Sequence, residues 1–224
     1  MKYLILLLLG FWSYQKAEAQ IANYQPLSNE KFRIMGVPQM LTMQGLRVDL
    51  DIPQRDGKEW IILSPELYYK SRHDNQFDPE YDKLIGGRLG IAKRIHLKKG
   101  PLISGWYISY GAEVEYFRIT KSIDDWQNTQ IEGINYIQMG SKDVTNNAFK
   151  PGLEFTFGQI IPLVDNLMLD CYLGTAFRYC IFDGSSKQKA EYAGDMYGKT
   201  HSGAVFLAGF RIGVSFPKHK LSDL

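Results

Sequence analysis

Residues 106–116 read WYISYGAEVEY, and this stretch decides the fold. Trp106, Ile108, Tyr110, Val114 and Tyr116 share one face of an extended chain, while Ser109, Gly111, Glu113 and Glu115 share the other. Period-two alternation marks a strand lying between an apolar medium and a polar one. The pattern recurs on both sides of this stretch. Leu46, Val48, Leu50 and Ile52 stand against Arg47, Asp49 and Asp51, and Ile61, Leu63, Leu67 and Tyr69 against Ser64, Glu66 and Tyr68. Ile85, Leu89, Ile91 and Ile95 oppose Arg88, Gly90, Ala92 and Arg94. Downstream, Phe149, Leu153, Phe155 and Phe157 oppose Lys150, Gly152, Glu154 and Gly158. Leu167, Leu169, Leu173 and Phe177 oppose Asp170, Tyr172, Gly174 and Arg178, and Phe206, Phe210, Ile212, Val214 and Phe216 oppose Gly209, Arg211, Gly213 and Ser215. Lys93 and Thr175 break the apolar phase locally.

Alternation does not by itself say which face points inward. A soluble barrel places its apolar face inside, whereas a membrane barrel turns it to lipid. The polar phase here is rich in Gly, which makes room among large charged side chains in a narrow lumen and weakens a solvent-facing strand for no gain. The apolar phase carries aromatics near strand ends, as interfacial girdles require. Seven such apolar faces do not fit inside one small soluble barrel. The expected fold is therefore all-β: an eight-stranded antiparallel transmembrane β-barrel with short periplasmic turns and long extracellular loops.

Charge and the N-terminus agree with export. The 224 residues hold 26 Lys and Arg against 24 Asp and Glu, a net charge of +2. A nucleic-acid binder would show a basic excess. Met1-Lys2, the apolar run YLILLLLGFW (3–12) and Ala17-Glu18-Ala19 form a signal peptide, with cleavage expected after Ala19. Residues 20–29 then form an N-terminal periplasmic segment, 30–216 the barrel and 217–224 a tail.

The connections alternate in length. Pro53 to Lys58, Lys98 to Ser104 and Ile161 to Asn166 are short, whereas Ser71 to Tyr81, Ser122 to Asn146 and Asp183 to Ser202 are longer and polar. With short turns in the periplasm, the first and the last strong strands both run downward, which an even-stranded antiparallel barrel forbids. An eighth, upward strand is expected at Glu30 to Val37 (EKFRIMGV). A hairpin around Ile131 to Met139 is an alternative that leaves the parity unrepaired.

The Gly-punctuated strands and the closing run GFRIGVSF (209–216) resemble small outer-membrane barrels of Gram-negative bacteria. Val37 to Ser71 looks like the opening of an uncharacterised Bacteroidota group, the DUF3575-like barrels. Phe216 resembles the terminal aromatic that assists insertion, although PKHKLSDL follows it. The resemblance implies a monomer in the outer membrane, with membrane lipid, lipopolysaccharide and the barrel-assembly machinery as partners and a surface ligand left unnamed.

The polar phase supplies Arg47, Arg88, Arg94, Lys150, Arg178 and Arg211 as bases, and Asp49, Asp51, Glu66, Glu113, Glu115, Glu154 and Asp170 as acids. Eight strands leave a lumen just wide enough for side chains to fill, so these charges must pair, giving a salt-bridged plug. A proton path, or Glu113 and Glu115 as an acid pair, is the functional alternative. Cys171 and Cys180 have opposite parity and too wide a spacing for a disulfide. His201 with Ser202 and Asp195, and His73 with Asp74, are the candidates for a lipid-modifying or proteolytic site. Lys187, Lys189 and Lys199 form a basic cluster on a loop, read as solvated, and His96 and His219 as surface residues. Neither a cofactor nor a metal is expected, and a small passive pore is a third possibility.

Overall fold

The computed structural model describes residues 30–42, 45–54, 58–70, 82–97, 105–131, 133–164, 166–193 and 198–217. Residues 1–29 with the expected signal peptide, all of Ser71 to Tyr81 with His73 and Asp74, residue Asp195 and the tail with His219 lie outside them. The elements are β1 (Glu30–Gly36), α1 (Gln39–Thr42), β2 (Gly45–Pro53), β3 (Glu59–Lys70), β4 (Lys83–His96), β5 (Trp106–Ile131), β6 (Ile134–Val164), β7 (Leu167–Arg178), β8 (Ile181–Phe182), α2 (Ser186–Ala193) and β9 (Gly203–Pro217).

Each of the long strands pairs antiparallel with its neighbour in sequence, and β5 pairs with β6. The ring closes through β1, where Phe32 opposes Phe216 and Gly36 opposes Ile212. Eight strands therefore form a closed antiparallel barrel, with the two-residue β8 as a side piece on β6. The closing strand lies at Glu30–Gly36, where strand parity requires it. Followed from partner to partner, Val214, Ile34, Leu50, Leu63, Ile91, Ala112, Leu153, Phe177 and Ala204 lie in register. One circuit of the wall thus returns to β9 ten residues from its start. For eight strands that stagger tilts them by about 40° from the barrel axis.

The apolar phase is outside. Leu67 (66% exposed), Leu89 (57%), Phe155 and Phe210 all stand on the outer surface, with Leu50 partly exposed beside them. Arg88, Glu113 and Arg211 are buried within the ring. Aromatics gather at both rims of the apolar band. Phe32 stacks on Phe216 and Trp106 on Phe157 toward the short-turn end, while Tyr69, Tyr116 and Tyr179 stand toward the other. An apolar belt with aromatic borders around a charged lumen is the construction of a transmembrane β-barrel. Among the described residues no helix is long and apolar enough to cross a membrane. Lys93 lies on the outer face and pairs with Glu59 at 2.8 Å near the short-turn rim, where an ion pair remains hydrated.

Two connections differ from the expectation. Ser122 to Asn146 is no loop: β5 and β6 continue as a paired ribbon from Lys121↔Val144 to Ile131↔Ile134, turned at Gly133 with φ 82°. The hairpin alternative thus holds, in addition to the N-terminal strand. In the third long connection, the described residues 183–193 and 198–202 fold back over the barrel mouth. Ser185 caps α2 through Oγ, Tyr192 is buried, and Thr200 Oγ1 donates to the Lys189 carbonyl at 2.6 Å. The polar-phase glycines also do more than leave space for charges. A Cβ at Gly158 would strike the Tyr107 ring, and one at Gly111 would strike the backbone of β4.

Candidate functional site

Side chains from every large strand meet inside the ring in two charged layers. Toward the short-turn end, Arg94 donates through Nη1 to Asp51 at 2.5 Å and through Nη2 to Asp170 at 3.1 Å. Arg211 donates to Asp49 at 2.7 Å and to the Tyr107 hydroxyl at 2.7 Å, and Tyr107 in turn donates to Asp170 at 2.7 Å. Arg47 Nε closes this layer on Asp49 at 2.7 Å. Three guanidinium groups thus face three carboxylates drawn from β2, β4, β7 and β9.

The second layer centres on Arg88. Its Nε lies 2.5 Å from Glu113, its Nη1 3.1 Å from Glu66 and its Nη2 2.5 Å from Glu154. Arg178 donates to the other oxygen of Glu113 at 2.6 Å and lies 3.3 Å from Glu115. Lys150 pairs with Glu115 at 3.2 Å. Glu113 and Glu115 therefore each hold cations of their own, and an acid dyad sharing one proton finds no support in this geometry. Above this layer Tyr68, Leu84, Phe117, Ile119 and Tyr192 form an apolar cap, with Met40 and Phe182 packed against it.

All ten residues expected to form the lumen network, Arg47, Asp49, Glu66, Arg88, Glu113, Glu115, Glu154, Asp170, Arg178 and Arg211, are placed in these two layers. Burying such charges is favourable only when the partners are close and the remaining hydrogen-bonding capacity is met, and this arrangement meets most of it.

Sequence reasoning passed over several lumen residues. Tyr107 bridges Asp170 and Arg211, and only its odd position in β5 marks it as inward. Arg33 is fully buried, with its guanidinium 3.8 Å from the centre of the Trp60 ring. His96, read as a surface residue, turns inward and meets Trp60 and Tyr107 edge-on. The basic loop cluster is not uniformly solvated either. Lys189 donates to the Cys180 carbonyl at 2.8 Å, and Lys199 is half-buried over the rings of Tyr68 (4.4 Å) and Phe117 (5.2 Å).

Of the loop candidates for catalysis only His201 and Ser202 are among the described residues. Ser202 Oγ accepts the Cys180 N–H at 2.9 Å, which is an anchoring bond, and His201 makes no hydrogen bond to it. Cys171 is exposed on the outer face and Cys180 buried, and both are free thiols. Among the described residues no cluster of His, Cys, Asp and Glu can hold a metal.

Neither a family model nor a curated protein sequence matches the chain. Among solved structures, CarO of Acinetobacter baumannii is similar at 14% identity and a TM-score of 0.41, covering 87% of this chain and 100% of that one. CarO2 of the same organism is 14% identical with a TM-score of 0.37, over 84% of this chain and 98% of that one. Similarity this distant assigns neither a family nor an activity to the chain.

Proposed function

We propose that this chain is a monomeric, non-enzymatic outer-membrane protein of a Gram-negative envelope. It is exported by residues 1–19, sealed by its charged lumen, and acts in envelope structure or surface interaction through its long-loop end. Membership of the DUF3575-like Bacteroidota barrels belongs to this proposal, supported by the segment Val37 to Ser71 and the closing run GFRIGVSF. The apolar belt supports membrane residence, and the periplasmic side follows from placing the short turns there.

The observation that carries the interactive role is the β5–β6 ribbon. Eleven register pairs from Lys121↔Val144 to Ile131↔Ile134 extend past the last residue of β4 that pairs with β5. At about 3.3 Å per residue the ribbon projects roughly 35 Å. Trp126, Ile137 and Met139 stand on one of its faces, exposed by 64% or more. Exposed apolar groups of this size mark a contact surface. A sealed lumen is favoured over a passive pore because Arg94 on β4 reaches across the interior to Asp51 on β2 and Asp170 on β7.

Two measurements test this reading together. In a planar bilayer the purified protein is expected to give no conductance steps, and steady single-channel openings would establish the pore instead. In a strain lacking the protein, a version with residues 123–142 replaced by a short turn should insert normally yet fail to restore the envelope phenotype. Full restoration would remove the ribbon from the function.

A further inference from the structure

The barrel wall is incomplete on one side. β1 stops at Gly36, opposite Ile212, so β9 from Gly203 to Arg211 has no strand partner on that side among the described residues. The chain turns at Pro38 into the single turn of α1, which occupies the place where a longer β1 would run. Gln39 lies against Gly209, where a Cβ would strike its amide, and donates to the Tyr172 hydroxyl at 3.2 Å. A backbone bond from Val37 N–H to the Arg47 carbonyl ties the panel to β2, whereas toward β9 side-chain contacts of Gln39 take the place of strand hydrogen bonds.

Behind the panel lies a cavity of about 250 Å³. Met40, Phe117, Tyr172 and Leu207 are part of its apolar lining, and the second charged layer lines the rest, Glu66 and Lys199 included. Outside, the panel is bordered by exposed Leu41 (65%), Leu46 (56%) and Phe206 (54%), which belong to the lipid-facing surface. The cavity thus has an apolar flank toward the bilayer and a polar end in the lumen.

The polar end specifies the ligand. The second charged layer holds four carboxylates, Glu66, Glu113, Glu115 and Glu154, and its cations Arg88, Lys150 and Arg178 are joined by Lys199 as the fourth. The layer is neutral as it stands, and an added ion would be buried without a counter-charge. Two groups remain unanswered among the described residues. Glu66 Oε1 is buried with no hydrogen bond of good geometry, although the Tyr68 hydroxyl stands beside the carboxylate, and Lys199 rests on ring faces with Glu115 and Glu66 near it but outside ion-pair distance. Burial also pushes the Lys199 ammonium below the ordinary lysine range, which a polar partner would reverse. One free acceptor beside one free donor is matched by a group that both donates and accepts.

We propose that the wall between β2 and β9 is a lateral portal closed by α1, through which an uncharged single-chain amphiphile enters from the surrounding leaflet. Its hydroxyl head donates to Glu66 and accepts from Lys199, and its chain lies along Met40, Phe117 and Leu207 toward the portal. The inference depends on membrane residence alone, not on the ribbon or on the surface role.

The test uses the protein with Cys171→Ser and Cys180→Ser in nanodiscs, and decanol, decanoate and decylamine carrying a diazirine at the chain end. Decanol is expected to label Phe117, Tyr172 or Leu207 and to be displaced by untagged decanol. Lys199→Met should lower this labelling about tenfold, the effect of losing one hydrogen bond to a charged group, while the barrel stays heat-modifiable. Adding Gln39→Cys and Gly209→Cys should abolish the labelling when the pair is oxidised, and reduction should restore it. Equal labelling in the locked and open proteins would overturn the portal. Stronger labelling by decanoate or decylamine would overturn the neutral ligand, and labelling confined to Leu46 and Phe206 would leave the cavity to water alone.

Discussion

Arg88 sets three guanidinium nitrogens against carboxylates on β3, β5 and β6, so one side chain fastens together three parts of the wall. Removing its charge leaves four buried acids with too few cations. Arg88→Met is expected to cost about 3–5 kcal/mol of stability, the usual penalty for breaking a buried ion network from one side. Urea unfolding of the refolded protein in detergent measures this, and adding Glu113→Gln should recover part of the loss. A loss below about 1 kcal/mol, the level of exposed pairs, would show the network to be solvated. On the other face, Phe210→Arg should cost roughly 2–4 kcal/mol, because the guanidinium would stand in hydrocarbon. The same substitution at Asn128, on the exposed ribbon, should have little effect on unfolding. Most lumen charges were legible in the sequence, because a charged residue in a two-period pattern announces its face. Tyr107 was not, since an aromatic ring suits either face until register decides. Lys199 was not either, since no periodicity marks a loop that folds back into the barrel mouth.

β1 shows how an element with a weak local pattern can be demanded by the whole. Its seven residues alternate only briefly, yet without it β2 and β9 would present unpaired backbone to lipid, at several kcal/mol for each group left unmet. Deleting residues 30–36 is therefore expected to abolish assembly, whereas deleting 218–224 should leave a folded barrel. Gel mobility of unheated samples distinguishes the two, and a compact band from the first deletion would refute closure by β1. The ribbon is the opposite case. Residues 122–146 hold Asn, Gln, Asp and Thr on both faces, so they look like a loop. A two-stranded ribbon outside the membrane buries neither face against lipid or core, and its register follows from continuity with β5 and β6 rather than from alternation. α2 escaped notice for a similar reason, because it is short and mostly polar, with Tyr192 as its buried anchor.

At the scale of the molecule, a ring of eight strands staggered by ten residues leaves a lumen that side chains fill, and the two charged layers occupy it. Sidedness follows from the connections. Single cysteines at Asn128 or Ser186, in the protein lacking Cys171 and Cys180, should react with an impermeant maleimide on intact cells. Cysteines at Lys58 or Asn166 should react only after the outer membrane is opened, and the reverse pattern would invert the barrel. The most direct test of the central claim, a closed transmembrane barrel, is the mobility of the full chain in gels of the outer-membrane fraction before and after boiling. The protein is expected in that fraction, running as a compact, faster band when unheated and shifting to its full apparent mass on boiling. Recovery in the soluble periplasmic fraction, with one mobility under both conditions, would contradict it.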